Sequence, residues 1–310
     1  MQSAPGKTAV PAADTSTAEV VVVGEHEGPR MWRVAKGEHV LWILGTISPL
    51  PRKMTWQSDS VQSLLQQAQE VVPAWPSIGV GANPFTALRL YFTWRRIQKS
   101  PDHMKLRDQL PPALYARFMA LKARFAPRDR KLEELRPMLA GGRLLDEALD
   151  ASGLTMRNEV QQTVLKLARR QGVKIHQTKL KVDDPVDVLK DLGATPKSGE
   201  IACLAAIVSR LETDLGPMQA RARAWALGDV DTLRRLPHSQ DDRIACLSAV
   251  SSSDRIRNLV VRAQEDWLIE VEDSIARNRS TLAVQSMDRL LGDQGTLAAL
   301  RAKGYTVEGP

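Results

Sequence analysis

Histidine, cysteine and aromatic side chains are scarce in this 310-residue chain, which holds 5 His, 2 Cys and only 5% Phe, Trp and Tyr together. No histidine pairs with another His, Cys or carboxylate at i, i+3 or i+4 in a ligand-like pattern, so no metal-binding helix can be read directly. No G-x-S-x-G turn is present to present a nucleophilic serine. The stretch GVGANP lacks the third glycine and the following helix of a dinucleotide fingerprint, and no P-loop occurs. Long apolar runs are missing as well. The segment AEVVVVG near the start falls far short of the roughly 18 residues a membrane span needs, and reads as a strand.

Charge is not segregated. The net charge is +7 and the pI about 9.5, yet Lys and Arg are interleaved with Asp and Glu, as in RDRKLEELR and QDDR. No nucleic-acid signature accompanies them, so the basic excess reads as a solvated surface and no nucleic-acid partner is expected.

What is present suits a globular chain: 43% hydrophobic and 25% charged residues, and enough length to bury a sizeable core. Residues 1–18 are small and polar with no apolar h-region. They read as a disordered leader, like the remainder after a signal peptide has been removed. Residues 19–47 alternate apolar positions around the turns EGPR and Lys36-Gly37, which predicts three short strands in a meander. A helix follows over 55–72, with Val61, Leu64, Leu65 and Ala68 on one face and Ser58 or Asp59 as its cap. The stretch VVPAWPSIG reads as strand broken by prolines.

Residues 84–150 are helical. Leu114, Phe118, Leu121 and Phe125 form an amphipathic stripe started by Pro111-Pro112 and stopped by Pro127, and Gly141-Gly142 reads as an interruption. A helix ending at Gly172 leads into a strand, residues 198–279 are nearly all helix, and the chain closes as strand, loop, helix, strand with Gly304 at a helix C-cap. The fold class expected is therefore α+β (mixed α/β). A central sheet is built from the N- and C-terminal parts, flanked by helices, within one domain over 19–310 whose helical middle covers about 84–150 and 198–279.

Cys203 and Cys246 each lie in an Ile-Ala-Cys-Leu tetrapeptide without a neighbouring Cys or His. A zinc site is therefore not expected. Two buried thiols and one disulfide between adjacent helices are the alternatives, and the matching contexts make the bond the expectation. His26 and His39 fall in turns, His176 at a strand end and His238 in a loop after Pro237; solvated polar roles suit them.

Two stretches carry a resemblance. LWILGTISPLPRKMTW puts Gly45-Thr46-Ile47 at a strand end, followed by Ser48, Pro49, Leu50, Pro51 and Trp56. TLAVQSMDRLLGDQGTLAALRAKGYTV, from Thr281 to Val307, closes the chain. Together they resemble the TraB/GumN family, relatives of the TIKI proteases and more distantly of erythromycin esterases and the ChaN proteins. The resemblance implies two strand ends side by side, each presenting a histidine to a divalent metal, with an acidic residue after the first helix completing the site.

Here the first histidine position holds Ser48. The second holds Arg289, or Asp288 if the extra loop residue is placed later. The acidic position falls at Pro73-Ala74, with Glu70 slightly early. A hydroxyl is a poor ligand and a guanidinium none at all, so no metal and no cofactor are expected. Gly45, Thr46, Ser48, Arg52, Lys53 and Arg289 become the expected ligand-binding set for a small anionic molecule, with a peptide or glycan as a larger relative of that ligand. An active hydrolase using Ser48 as nucleophile, or Asp288 and Asp293 as metal ligands, is the alternative; an accessory role in polysaccharide export is a third. A periplasmic or secreted location is expected from the leader and the cysteines.

Overall fold

The computed structural model describes residues 28–80, 83–100, 104–236, 240–291 and 294–309. Two strands, β1 (Met31–Lys36) and β2 (His39–Thr46), form a hairpin. It turns at Gly37, whose φ of +60° is open to glycine at no steric cost. Next come β3 (Leu50–Pro51), α1 (Asp59–Gln67), β4 (Glu70–Val72) and β5 (Ser77–Val80). The region read as the third strand of the meander lies in part outside the described residues.

The middle of the chain is mostly helical. It begins with α2 (Pro84–Ile97), α3 (Leu106–Gln109), α4 (Pro112–Phe125) and α5 (Pro137–Ala151). β6 (Leu154–Thr155), α6 (Glu159–Arg170), β7 (Lys174–Ile175), β8 (Lys179–Val182) and α7 (Pro185–Gly193) follow. Then come α8 (Lys197–Thr213), α9 (Leu215–Ala226), α10 (Val230–Arg235), α11 (Asp241–Val250) and the long α12 (Asp254–Arg277). The chain returns to the sheet through β9 (Ser280–Ser286), then α13 (Met287–Leu290), α14 (Thr296–Ala302) and β10 (Thr306–Glu308).

The main sheet has the order β10-β1-β2-β9-β4-β7. β2, β9, β4 and β7 run parallel; at one edge β1 pairs antiparallel with β2, and β10 pairs antiparallel with β1. Strand residues from both chain ends, including Leu41, Ile43, Leu282 and Val284, are fully buried. Helix residues Trp225 and Trp267 pack into the same core. Each tryptophan also satisfies its indole N–H, Trp225 on the Gly45 carbonyl at 2.7 Å and Trp267 on the Pro73 carbonyl at 2.9 Å. Burying rings of this size contributes several kcal/mol apiece; truncation to Ala typically costs about 3–5 kcal/mol. The expected mixed α/β class, with a central sheet made from both ends of the chain, is what the structure has.

A second core belongs to the helices alone, where Phe118, Leu132, Leu144 and Leu204 are inaccessible. Gly141-Gly142 does not interrupt α5. A Cβ at Gly141 would stand 3.1 Å from Ile207 and 3.3 Å from the Leu204 backbone, so the glycine lets α5 lie close against α8. α8 is also tied to α11, through a disulfide between Cys203 and Cys246 with their Cα atoms 4.4 Å apart.

Candidate functional site

The parallel register sets the geometry of the carboxyl rim. Thr46, the last residue of β2, sits beside Ser286, the last of β9. The two segments that carry the family-like motifs therefore leave the sheet together, and loops beyond the carboxyl ends of parallel strands are where α/β sheets hold their ligands. Two of the sequence-predicted residues prove to be packing elements. Thr46 is buried and its hydroxyl donates to the Gln285 carbonyl at 3.3 Å. A Cβ on Gly45 would meet the Trp32 ring at 2.5 Å and Met287 Cγ at 3.0 Å, so this position needs glycine for close approach. Arg52 is committed to an ion pair with Asp150, and Lys53 is exposed beyond β3. Neither is shown turning toward the rim.

Ser48 is exposed. It borders a cavity of about 10 Å³, shared with Arg210, Asp214 and Arg221, which is the space of one water. Across the rim, α13 carries Asp288 and Arg289. Asp288 is exposed and lies 3.7 Å from Arg243. Arg289 is half-buried, with its guanidinium stacked 4.4 Å over the Trp75 ring. Its Nη1 is buried and has no hydrogen-bond partner among the described residues. Burial first, and then the like charge of Arg243, push the Arg289 guanidinium below its ordinary value. It remains a cation at neutral pH. Asp293 lies outside the described residues.

The donor chemistry at this rim does not fit a divalent metal. The Ser48 hydroxyl, the carboxylates of Asp214 and Asp288 and the guanidinium groups of Arg210, Arg221, Arg243 and Arg289 lie along it, an excess of cations without an imidazole or thiolate among the described residues. As a nucleophile Ser48 would need a base in reach; the carboxylate bordering its cavity, Asp214, instead accepts from Thr213 at 2.7 Å.

Sequence reasoning missed a cluster at the opposite, amino end of the same strands. Glu70 opens β4 and is almost wholly buried. One of its oxygens accepts from Asn278 at 2.9 Å, Ser274 at 3.0 Å and Arg277 at 3.1 Å. The other lies 3.1 Å from His176 Nδ1 and 3.2 Å from Lys174 Nζ. Burial alone would raise this carboxyl. Hydrogen bonds from Arg277, Ser274, Lys174 and Asn278 overcome that and hold it at about 2.

His176 Nε2 lies 3.2 Å from Glu270, which places Glu70, His176 and Glu270 within 4.8 Å of one another in a metal-like group. A cation is already there. Arg277 Nη2 lies 3.1 Å from Glu70, 2.8 Å from Glu270 and 3.4 Å from His176. A divalent ion would have to displace that guanidinium, so the group is a charge-satisfied clamp joining α12 to the sheet. The partners come from β4, β7 and α12, as far as 208 positions apart. No local spacing announces them.

A mixed α/β domain with parallel strands opening on a rim between two chain ends is the class that fold and site define. The family model described as the TraB/PrgY/gumN family matches residues 30–309, and the chain belongs to that family. No curated protein and no solved structure matches it.

Proposed function

We propose that this chain binds an anionic group at the carboxyl rim of its parallel strands and does not hydrolyse. The observation that carries the reading is Arg289 on α13, a half-buried fixed positive charge with one guanidinium nitrogen that no described residue satisfies. A carboxylate or phosphate oxygen is the group that satisfies such a nitrogen with a charge-assisted bond. Arg243 nearby and the exposed Ser48 hydroxyl on the adjoining loop add donors. Without an imidazole among the described residues of the rim, neither an activated water nor an activated serine has support there. The Cys203–Cys246 disulfide suits an oxidising compartment and supports a periplasmic or secreted location.

Titration calorimetry with inorganic phosphate and with citrate tests this. Saturable binding by the wild type that is lost in Arg289→Met is the expected result; binding of equal strength in both proteins rejects the rim as the anion site. Elemental analysis of the purified protein should find no stoichiometric zinc or manganese, and about one metal per chain would restore the hydrolase reading.

A further inference from the structure

α2 is the one long helix of the described residues in which no side chain is buried. Its half-buried positions are Thr86, Leu90, Thr93 and Ile97, spaced i, i+4, i+7 and i+11, so this face rests toward α7. The more apolar side points outward. Phe85 is 79% exposed, Phe92 60%, and Leu88 and Tyr91 55% each. Apolar groups of this size, presented together on one helix, mark a surface that something covers.

The charge on that helix says what. Arg89, Arg95 and Arg96 share the outward half-turns with Phe85, Leu88 and Phe92, and the fourteen residues include no acid. None of the three arginines forms a salt bridge among the described residues, although Asp187 lies within the electrostatic reach of Arg89. A groove of about 860 Å³ beside the helix is lined by Arg89, Phe92, Arg95, Arg96 and Lys190 without an acidic side chain. A second copy of this chain is a poor occupant, because twofold pairing of the same face would bring the arginine sets against each other with no acid on the helix to compensate. Aromatic rings flanked by arginines, on a helix lying along the surface, match a bilayer interface: the rings enter the acyl boundary while the guanidinium groups reach the phosphates.

We propose that α2 docks this protein on an anionic lipid surface, with Phe85, Leu88 and Phe92 inserted and Arg89, Arg95 and Arg96 on the headgroup phosphates. This site is separate from the rim at Arg289 and stands or falls independently of it. The test is flotation of the purified full chain with phosphatidylcholine vesicles, with and without about 30 mol% phosphatidylglycerol. The wild type should float with the anionic vesicles and stay behind with the neutral ones. Arg89→Gln, Arg95→Gln and Arg96→Gln combined should weaken partitioning on the order of a hundredfold, since each cation near an anionic surface contributes several-fold. Phe85→Ser with Phe92→Ser should reduce it at constant charge, and an unchanged thermal midpoint shows that both variants fold.

Equal binding to neutral vesicles, or binding that ignores both variants, overturns the proposal. Absence from anionic vesicles also overturns it. If light scattering then shows self-association that the serine variant abolishes, the face is a protein interface instead. A soluble phosphorylated headgroup that binds as tightly as the vesicles also rejects the bilayer and leaves a small-ligand groove.

Discussion

The two ends of one set of parallel strands treat a buried charge in opposite ways. At the amino end, Glu70 is surrounded by Asn278, Ser274, Arg277, His176 and Lys174, so that both carboxylate oxygens are occupied. At the carboxyl end, Arg289 has an aromatic face beneath it, a like charge nearby and one buried nitrogen with nothing to bond. A saturated charge holds elements together and has nothing left to offer a ligand. A charge left incompletely paired costs some stability and keeps bonding capacity that its own chain does not use. Charge satisfaction therefore separates the structural cluster from the candidate site, although the first looks far more like a metal centre by residue type.

Breaking the amino end should have the largest effect. Glu70→Gln leaves Arg277 and Lys174 without their anion and is expected to reduce the unfolding free energy by about 3 kcal/mol, measured by urea denaturation; a loss below about 1 kcal/mol would mean the clamp is not a stability element. Acid titration sharpens the same point. Glu70 ionises near 2 in the folded chain against 4.5 ordinarily. Its contribution is therefore complete above about pH 4.5 and is lost as pH falls toward 2. That amounts to on the order of 3 kcal/mol, and the slope should flatten in Glu70→Gln.

The carboxyl end should respond much less. Arg289→Met removes an unsatisfied cation and keeps an apolar partner for Trp75, so unfolding free energy should change by less than about 1 kcal/mol in either direction. A loss matching that of Glu70→Gln would erase the contrast between the ends. The smallest expected effect is none: Ser48→His alone should produce no metal-dependent hydrolysis, because the groups beside it are the guanidinium groups of Arg210 and Arg221 and a single carboxylate, Asp214. Activity assayed with zinc or manganese in that variant would show that one imidazole was all the rim lacked.

Both ends were unequally legible in the sequence. The pairing of β2 with β9 followed from two motifs at opposite ends of the chain, and its register places their loops together. The neighbours of Glu70 could not be read, since a carboxylate at a strand start reveals nothing about a helix two hundred positions later. Gly141 looked like a helix breaker because local propensity penalises glycine, whereas packing against Leu204 and Ile207 requires it. In α2 the periodicity is plain but its orientation is not. The helix rests on its Thr86, Leu90, Thr93 and Ile97 face and turns the richer aromatic stripe outward, which reverses the usual inference from an amphipathic pattern.

The interleaving of β9 between β2 and β4 also governs the order in which the sheet can be completed as the chain emerges. Val40 pairs with Ser280 and Glu70 with Thr281, so the central strand of the sheet is synthesised more than 200 residues after the strands it separates. At about 5–20 residues per second, β2 and β4 wait on the order of ten seconds or more for the strand that fills the gap between them. Their apolar edges must be kept from other partners through that interval. The helical core joining α5 and α8, whose contacts are far closer in sequence, is free to form first. Nascent-chain proteolysis should find protection arising in the middle of the polypeptide before it appears at either end.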